Sequence, residues 1–256
     1  MENLEHELWI VQAINAIFGP AVAALLRAIG RPVPDPSHVI PNHLGIILLI
    51  IVALTVLCLF VRSRLSVENP GKLQIVLEDV IVGLNSLLEQ WVGPTGRQYL
   101  PLVGTVGIFI LICNLSGFVP GLMAPTSNVN VPLGCAISVW VYYHIQGIRV
   151  QGIVAYLKHF AVPPGSPVAM APLMLIIETI SHTARVMSLT LRLFGNIFAE
   201  ELVILILASL VPFFVPLPMM ALGLLTSSLQ AFIFMVLTMS YLGGAVATDH
   251  ADEAHH

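Results

Sequence analysis

The sequence predicts an all-α polytopic integral membrane protein with about five transmembrane helices and additional amphipathic interfacial helices. Of its 256 residues, 57% are hydrophobic and 9% are charged, and the mean hydropathy is +0.92. These values lie outside the range of soluble proteins. The apolar residues also lie in long runs, and a helix needs about 20 such residues to cross a bilayer. The chain is therefore predicted to form a single membrane domain, residues 1–256.

The first three elements differ in how their apolar residues are distributed. Residues 1–42 are predicted as an N-terminal amphipathic segment, because apolar residues recur at helical spacing until a proline-rich stretch ends the pattern. Residues 44–61 contain no charged residue and are predicted as the first span. Residues 69–92 carry one apolar stripe opposite acidic side chains, which favours an interfacial helix over a span.

Four more helices are predicted in the rest of the chain. Residues 99–119 and 131–148 have the length of ordinary second and third spans. Residues 170–210 and 218–246 are much longer. At 1.5 Å per residue both exceed a hydrocarbon core of about 30 Å, so we expect these two helices to be strongly tilted or kinked.

The distribution of basic residues predicts the orientation of the spans. Lysine and arginine occur in the loops after the first and third spans and are absent from the two alternate loops. Because basic residues accumulate in cytoplasmic loops, the N-terminus is predicted to lie outside and the acidic C-terminal tail in the cytoplasm.

Four charged residues lie within residues 181–202 of the first long helix, and such residues are a signal of function. They are Arg185, Arg192, Glu200 and Glu201, in a segment that is otherwise largely apolar. A charged side chain at the centre of a membrane helix costs about 2.5–3.5 kcal/mol, so it usually faces a bundle interior, a water-filled cavity or a partner charge. An ion pathway is the first hypothesis.

Helical geometry sorts the polar side chains of this segment into faces. At 100° per residue, one stripe about 60–80° wide holds five of them: Glu178, His182, Arg185, Arg192 and Asn196. Glu201 points nearly opposite to Arg192, and Glu200 lies between the two directions. Along the axis the order is acid, permanent cation, acid.

This order has a chemical consequence. Carboxylates and histidine take up and release protons, whereas arginine stays protonated in proteins and breaks any relay that passes through it. Arg192 would divide the path in two. A proton would then cross only on a mobile carrier, and a carboxylate on a moving partner would suit that role.

Three motifs carry a resemblance to the a subunit of the membrane sector of F-type ATP synthases. They are SLTLRLFGNIFAEEL at 188–202, LQAFIFMVLTMSYL at 229–242 and PTSNVNVPL at 125–133. The resemblance implies a non-catalytic, proton-conducting stator subunit, without a cofactor or nucleic-acid partner, in a lipid bilayer such as the bacterial cytoplasmic (inner) membrane. It also implies three sets of partners: the c-subunit ring, the peripheral-stalk b subunits and the remainder of the F-type ATP synthase.

The resemblance also assigns roles to single residues. Arg192 matches the essential arginine that faces the ring carboxylates, with Asn196 and Gln230 as polar positions near it. Two acidic residues match the two half-channels that the long helices would line: Glu178 on the cytoplasmic side and Glu201, rather than Glu200, on the outer side.

Two positions depart from the family pattern. Gly223 stands where some members carry a histidine paired with the outer glutamate, and Asn128 stands where many have aspartate before the position matched by Asn130. The outer path would then rely on Glu201, Glu200, bound water, Asn128 or Asn130, and the sequence does not decide among them.

Several residues allow a purely structural role as an alternative to a functional role. Arg185 either faces the ring directly or makes a structural contact, His182 either relays protons with Glu178 or only packs, and Glu200 either lines the channel or faces the outer interface. His144 is expected to be solvated. The three cysteines have no metal-binding spacing, so we expect packing roles and no metal.

Other function classes are weaker alternatives. A sodium-translocating version of the same subunit stays open, because the ion site belongs mainly to the ring. A secondary transporter would need broken helices in two corresponding halves, and Arg192 has no such break beside it. An intramembrane hydrolase is disfavoured because the chain lacks the HExxH and GxSxG motifs.

Overall fold

Long helices make up the chain in the computed structural model. The structure describes residues 9–28, 39–68, 70–119, 121–156, 170–210, 214 and 216–246, and within these ranges it contains helices and no strand. The predicted all-α class is therefore confirmed. The main helices are α1 (Trp9–Ala28), α2 (Asn42–Arg64), α3 (Lys72–Val92), α4 (Leu100–Ser116), α5 (Asn130–Gln151), α6 (Ala171–Leu210) and α7 (Pro216–Val246).

The helix bounds lie close to those expected from the apolar runs. The interfacial helix expected from residue 69 begins at Lys72, with Gly71 at its N-cap position, and ends before Gly93. Gly93 has a φ of 95°, which glycine adopts without the strain that a side chain would cause. The two long segments each form one helix, of 40 and 31 residues.

Five helical stretches in the described ranges are long and apolar enough to cross a membrane by length and composition. They include α1, for which the sequence predicts a surface helix. They do not include α5, because α5 is more polar, although its 22 residues are long enough for a span. The five stretches are Val11–Ala28, Asn42–Arg64, Gly96–Ser116, Ala171–Leu210 and Pro216–Val246.

Helix α7 lies at the centre of the bundle and contacts α3, α4, α5 and α6. The approach of α4 is close, because a Cβ atom on Gly107 would overlap the Met235 side chain. Helix α3 lies equally near, with Gly243 of α7 against the backbone carbonyl of Trp91. Buried residues such as Phe234 fill the common core.

Helices α1 and α2 form a smaller cluster at the edge of this core. Val11 and Ile46 are fully buried there together with Cys113 of α4. Asn15 of α1 exchanges two hydrogen bonds with the backbone of Ile40, at 3.1 and 3.0 Å, which fixes the chain just before α2.

Helix α6 is buried on one side only. Its buried residues contact α5, α7 and the 3-10 turn Pro125–Ser127, and they are His182, Leu189, Thr190, Leu193 and Ile197. The other side of the helix is exposed along most of its length. This arrangement gives α6 a bundle face and an open face, and the predicted functional residues divide between them.

Candidate functional site

Arg192 lies on the open face of α6. Its side chain is exposed, and its one hydrogen bond within the described part of the chain joins Nη2 to Oγ of Ser188 at 3.4 Å. Asn196, one turn later, is also exposed, whereas Gln230 of α7 is buried. The guanidinium is therefore presented outward, where a partner in the membrane could reach it.

A polar cavity lies at the end of the bundle where α6 begins. Its volume is about 220 Å³. It collects most of the polar side chains expected near the cytoplasmic end of α6, together with groups from α5, α7 and the segment after α5. The lining residues are Tyr143, Gln151, Tyr156, Glu178, His182, Arg185, Gly244 and Ala245.

Glu178 and His182 meet on adjacent turns of α6, as their spacing of four residues predicts. Nε2 of His182 lies 3.1 Å from Oε1 of Glu178. On the other side of the imidazole ring, Nδ1 lies 2.7 Å from the hydroxyl of Tyr143 on α5. A carboxylate, an imidazole and a phenol therefore form one hydrogen-bonded chain at the cavity wall.

Arg185 and Arg192 lie in different environments, although they are expected to share the ring-facing stripe. Arg185 is half-buried, and its guanidinium lies 5.2 Å from the ring centroid of Tyr241 on α7. A cation over an aromatic face is attracted by the ring electrons. The structure thus places Arg185 at the polar cavity beside Glu178 and leaves Arg192 on the open face.

His144 is half-buried rather than solvated, which corrects the expectation from its position near the end of a span. Its Nδ1 lies 2.6 Å from the hydroxyl of Tyr156. Its ring also lies 4.4 Å from the ring of Trp140 and 4.8 Å from that of His182, measured between centroids. Aromatic side chains of α5 pack around His144, and the sequence alone does not show that they form a cluster.

A second cavity, of about 240 Å³, lies near the other end of α6. Glu200 and Glu201 both line it, and both are half-buried. The other lining residues come from α4, the following loop, α6 and α7, and they are Asn114, Gly117, Phe118, Ala124, Ile197, Ile204, Leu205, Ala208, Met220 and Ser227.

Glu200 makes the closest contacts between this cavity and α7. The hydroxyls of Thr226 and Ser227 donate to Oε2 of Glu200 at 3.3 and 3.4 Å. A Cβ atom on Gly223 would overlap Oε1 of the same carboxylate. The glycine therefore leaves the space that the Glu200 carboxylate occupies, and Thr226 and Ser227 are its hydrogen-bond donors rather than packing residues alone.

Asn114 is a further polar residue of this cavity, and motif matching did not identify it. It is buried on α4, where its Nδ2 donates to the backbone carbonyl of Ser227 at 3.2 Å. Its Oδ1 accepts from the hydroxyl of buried Thr126 at 2.8 Å. An asparagine inside an apolar span was the sequence signal that could have found it.

Asn128 and Asn130 lie at the start of α5. Oδ1 of Asn128 accepts from the backbone N–H of Asn130 at 3.1 Å, and its Nδ2 lies 3.5 Å from Nδ1 of His43 on α2. Asn130 lines an apolar groove between α2, α4 and α5, and neither asparagine lines the cavity of Glu200.

In the described ranges no cluster of three or more His, Cys, Asp or Glu could hold a metal ion.

The two cavities are separated along α6 by Arg192. Arg192 lies fourteen positions after Glu178, and Glu200 lies eight positions after Arg192. At 1.5 Å per residue these separations are about 21 and about 12 Å along the axis. Each cavity thus offers a carboxylate that can take up a proton, and a permanent cation lies at the level between them.

Comparison with known proteins places this chain in a family. The model of the family described as "ATP synthase A chain" matches residues 44–243. ATP synthase subunit a of Koribacter versatilis is 37% identical over 247 residues, which cover 96% of this chain and 100% of that protein. ATP synthase subunit a of Solibacter usitatus is 46% identical over 209 residues, 82% of this chain and 88% of the relative.

A third relative gives the same result. ATP synthase subunit a 3 of Pelobacter propionicus is 45% identical over 201 residues, which cover 78% of this chain and 86% of that protein. All three relatives are bacterial proteins named as the same subunit, and the match covers most of each chain. This chain therefore belongs to the family of ATP synthase subunit a, an integral membrane subunit of F-type ATP synthases.

Proposed function

We propose that this chain is the proton-conducting stator subunit of the ATP synthase membrane sector, with two offset half-channels separated by Arg192. Family membership supports the general role, that of a non-catalytic membrane subunit in a complex whose other subunits make ATP. The observation that carries the finer proposal is the pair of carboxylate-bearing cavities at opposite ends of α6, with exposed Arg192 between their levels.

The cytoplasmic half-channel is the cavity of Glu178 and His182. Glu178 is the proton-accepting group, because it is the one carboxylate among the lining residues and its side chain is 33% exposed. His182 holds one carboxylate oxygen by a hydrogen bond. Arg185 supplies a fixed positive charge at the same wall, and its contact with Tyr241 anchors it to α7.

The outer half-channel is the cavity of Glu200 and Glu201. Glu200 is the principal acid in this proposal, because α7 provides two hydroxyl donors and a glycine-sized space for its carboxylate. Glu201, the residue that motif matching favours, lines the same cavity and is the second acid. Asn114 contributes a polar wall on the α4 side.

Arg192 is the barrier between the two half-channels. Its guanidinium stays charged, so a proton cannot pass through it. Its exposure on the open face of α6 supports a role toward a ring of c subunits, each of which would bring one carboxylate past it. An approaching carboxylate would be held in its ionised form by the arginine and would release its proton into the neighbouring half-channel.

The assembly follows from the same arrangement. The open face of α6 would lie along the c-subunit ring, and the peripheral-stalk b subunits would hold the chain still while the ring turns. With the N-terminus outside and the C-terminus in the cytoplasm of a bacterial cell, the cavity of Glu178 opens inward and that of Glu200 outward. Each turn of the ring would then couple proton flow to ATP synthesis.

The test is ATP-driven proton pumping by the complete complex in inverted membrane vesicles. Arg192→Ala should reduce pumping to background, while ATP hydrolysis by the detached catalytic sector is unchanged. The matched control is Arg149→Ala, an exposed arginine at the end of α5, which should pump like the unmodified complex. Pumping by an assembled Arg192→Ala complex at the rate of the control would refute the proposal.

A further inference from the structure

The imidazole of His182 is held from both sides. Glu178 lies at Nε2 and Tyr143 at Nδ1, with separations of 3.1 and 2.7 Å. His182 is only 8% exposed and Tyr143 only 1%. Turning the ring would therefore break two hydrogen bonds of a nearly buried imidazole, and an unpaired buried polar atom costs about 1–3 kcal/mol.

We propose that Tyr143 is a positioning residue of the cytoplasmic half-channel, whose hydroxyl fixes the tautomer and orientation of His182 and thereby holds the Glu178 carboxylate at the cavity. This inference rests on the proposed function, because it gives Tyr143 a role only if Glu178 carries protons. It adds a residue on α5 that no motif identifies.

The hydrogen-bond chemistry sets the direction of each bond. An ionised carboxylate only accepts hydrogen bonds, and a neutral imidazole carries hydrogen on one nitrogen. With Glu178 ionised, Nε2–H of His182 donates to Oε1, so Nδ1 must accept, and the Tyr143 hydroxyl donates to it. The opposite tautomer would point the lone pair of Nε2 at the carboxylate, which would repel it.

The surroundings of His182 favour this assignment. Four further polar or aromatic groups face it or its tyrosine partner: Arg185 of the same helix, His144 of α5, Tyr241 of α7 and Tyr156 after α5. The Nδ1 of His144 is already bonded to Tyr156. The Arg185 guanidinium can only donate, so in its hydrogen bond with Tyr143 it donates to the phenol oxygen and leaves the phenol hydrogen for Nδ1 of His182.

The packing of Tyr143 explains why it can hold the ring still. Its side chain is wedged between α6 and α7, with its ring centroid 5.7 Å from that of His182 and 6.2 Å from that of Tyr241. A buried tyrosine on a third helix is a rigid donor, because it has few rotatable bonds and no space to move. Phenylalanine would keep this packing and remove only the hydroxyl.

Tyr143→Phe in the complete complex is the first test. Proton pumping in vesicles should fall about fivefold, the factor that corresponds to one net hydrogen bond. Tyr142→Phe is the matched control, since this neighbouring tyrosine is half-buried with its ring against Tyr99, and pumping should stay unchanged. Equal pumping by the two variants would overturn the inference.

A double variant separates positioning from simple packing. If Tyr143 acts through His182, then Tyr143→Phe should have no further effect in a His182→Asn background. Independent, multiplicative losses from the two substitutions would overturn the inference. The third measurement is the Nδ1 resonance of His182 in the purified complex with ¹⁵N-labelled histidine, which is assigned by its loss in His182→Asn. In Tyr143→Phe this resonance should shift toward the value of a nitrogen that accepts no hydrogen bond. An unchanged resonance would also overturn it.

Glu178→Gln distinguishes this inference from the proposed function. If Glu178→Gln slows pumping and Tyr143→Phe does not, the half-channel stands and the role of Tyr143 is refuted. If Glu178→Gln pumps normally at every pH, the cytoplasmic half of the proposed function fails. The shift of the His182 resonance would still show whether Tyr143 fixes the imidazole.

Discussion

Gly223→Ala tests whether the position of Glu200 serves proton entry from the outer side. A Cβ atom at residue 223 would overlap Oε1 of Glu200 and lie 3.1 Å from Cζ of Phe118. The carboxylate is at the end of a flexible side chain, so it can move while the backbone of α7 stays in place. We therefore expect the substitution to displace the Glu200 carboxylate and to leave the fold intact.

The size of the effect follows from the bonds that the displaced carboxylate loses. The hydroxyls of Thr226 and Ser227 donate to it in the present position. Each hydrogen bond contributes a net free energy of about 1 kcal/mol. Losing both costs at most about 2 kcal/mol, because the Thr226 hydroxyl also lies 3.0 Å from the Gly223 carbonyl and can donate to it instead. Since 1.4 kcal/mol is a factor of ten, the occupancy of the site falls by up to about 30-fold.

The assay is passive proton conductance through vesicle membranes from which the catalytic sector has been removed. Gly223→Ala should conduct up to about 30-fold more slowly, in proportion to the lost occupancy. Gly134→Ala is the control, because a Cβ atom there meets no atom within 4 Å. Adding Glu200→Asp to Gly223→Ala should restore part of the conductance, since the shorter side chain withdraws from the new methyl group. Equal conductance in both alanine variants would refute the role of Glu200.

Two other substitutions test the remaining polar groups. Glu178→Gln should slow ATP-driven pumping and change its pH dependence, because the glutamine cannot take up a proton; an unchanged profile from acid to alkaline pH would make the residue structural. Asn114→Ala should lower the thermal unfolding temperature of the purified complex, because it removes the acceptor of the buried Thr126 hydroxyl and the added hydrogen bond to the Ser227 carbonyl. The unpaired hydroxyl alone costs about 1–3 kcal/mol. Ser138→Ala, on the exposed side of α5, is the control for that measurement.

The helices could be predicted because each is a long apolar run or, in α3, an apolar stripe at helical spacing, and each ends at a recognisable change of composition. The run expected at 44–61 corresponds to Asn42–Arg64, and that expected at 170–210 to Ala171–Leu210. Helix α1 is the element for which sequence pattern and composition favour different environments. Its apolar residues follow helical spacing, yet the stretch from Val11 to Ala28 is also apolar enough to cross a membrane.

The candidate site could be predicted only where one helix determines it. The contact between Glu178 and His182 follows from their spacing of four residues on α6. Contacts between helices are different, because periodicity gives the direction of a side chain and not its neighbour. The burial of His144 and the contact of Arg185 with Tyr241 depend on how α5 and α7 are placed.

The choice between Glu200 and Glu201 shows the same limit. Position in a motif favours Glu201, and both residues line the outer cavity. What distinguishes Glu200 is the space beside Gly223 on another helix. The resemblance marks Gly223 as a departure from the family pattern, and in the structure the absence of a side chain there leaves the space that the Glu200 carboxylate occupies.

The apolar side of α6 also bears on the route of the proton. Between the levels of the two cavities, the bundle face of α6 presents Leu189, Thr190 and Leu193, which are all buried. The two leucines belong to the common core, and the hydroxyl of Thr190 donates to the Val186 carbonyl of its own helix. A proton moving inside the bundle from one cavity to the other would have to cross this layer, and burying an isolated charge there is prohibitively costly.

In the proposed mechanism, proton transfer between the two levels therefore takes place on the open face of α6. At 100° per residue, Glu178 and Glu200 point about 40° and 80° from Arg192, both toward the bundle. Each acid can thus receive a proton in its own cavity. A proton from one acid cannot reach the level of the other acid without passing Arg192. A carrier outside the chain, moving along the open face, would meet Arg192 between the two levels. The apolar layer and the arginine together would force proton transfer onto the rotating partner.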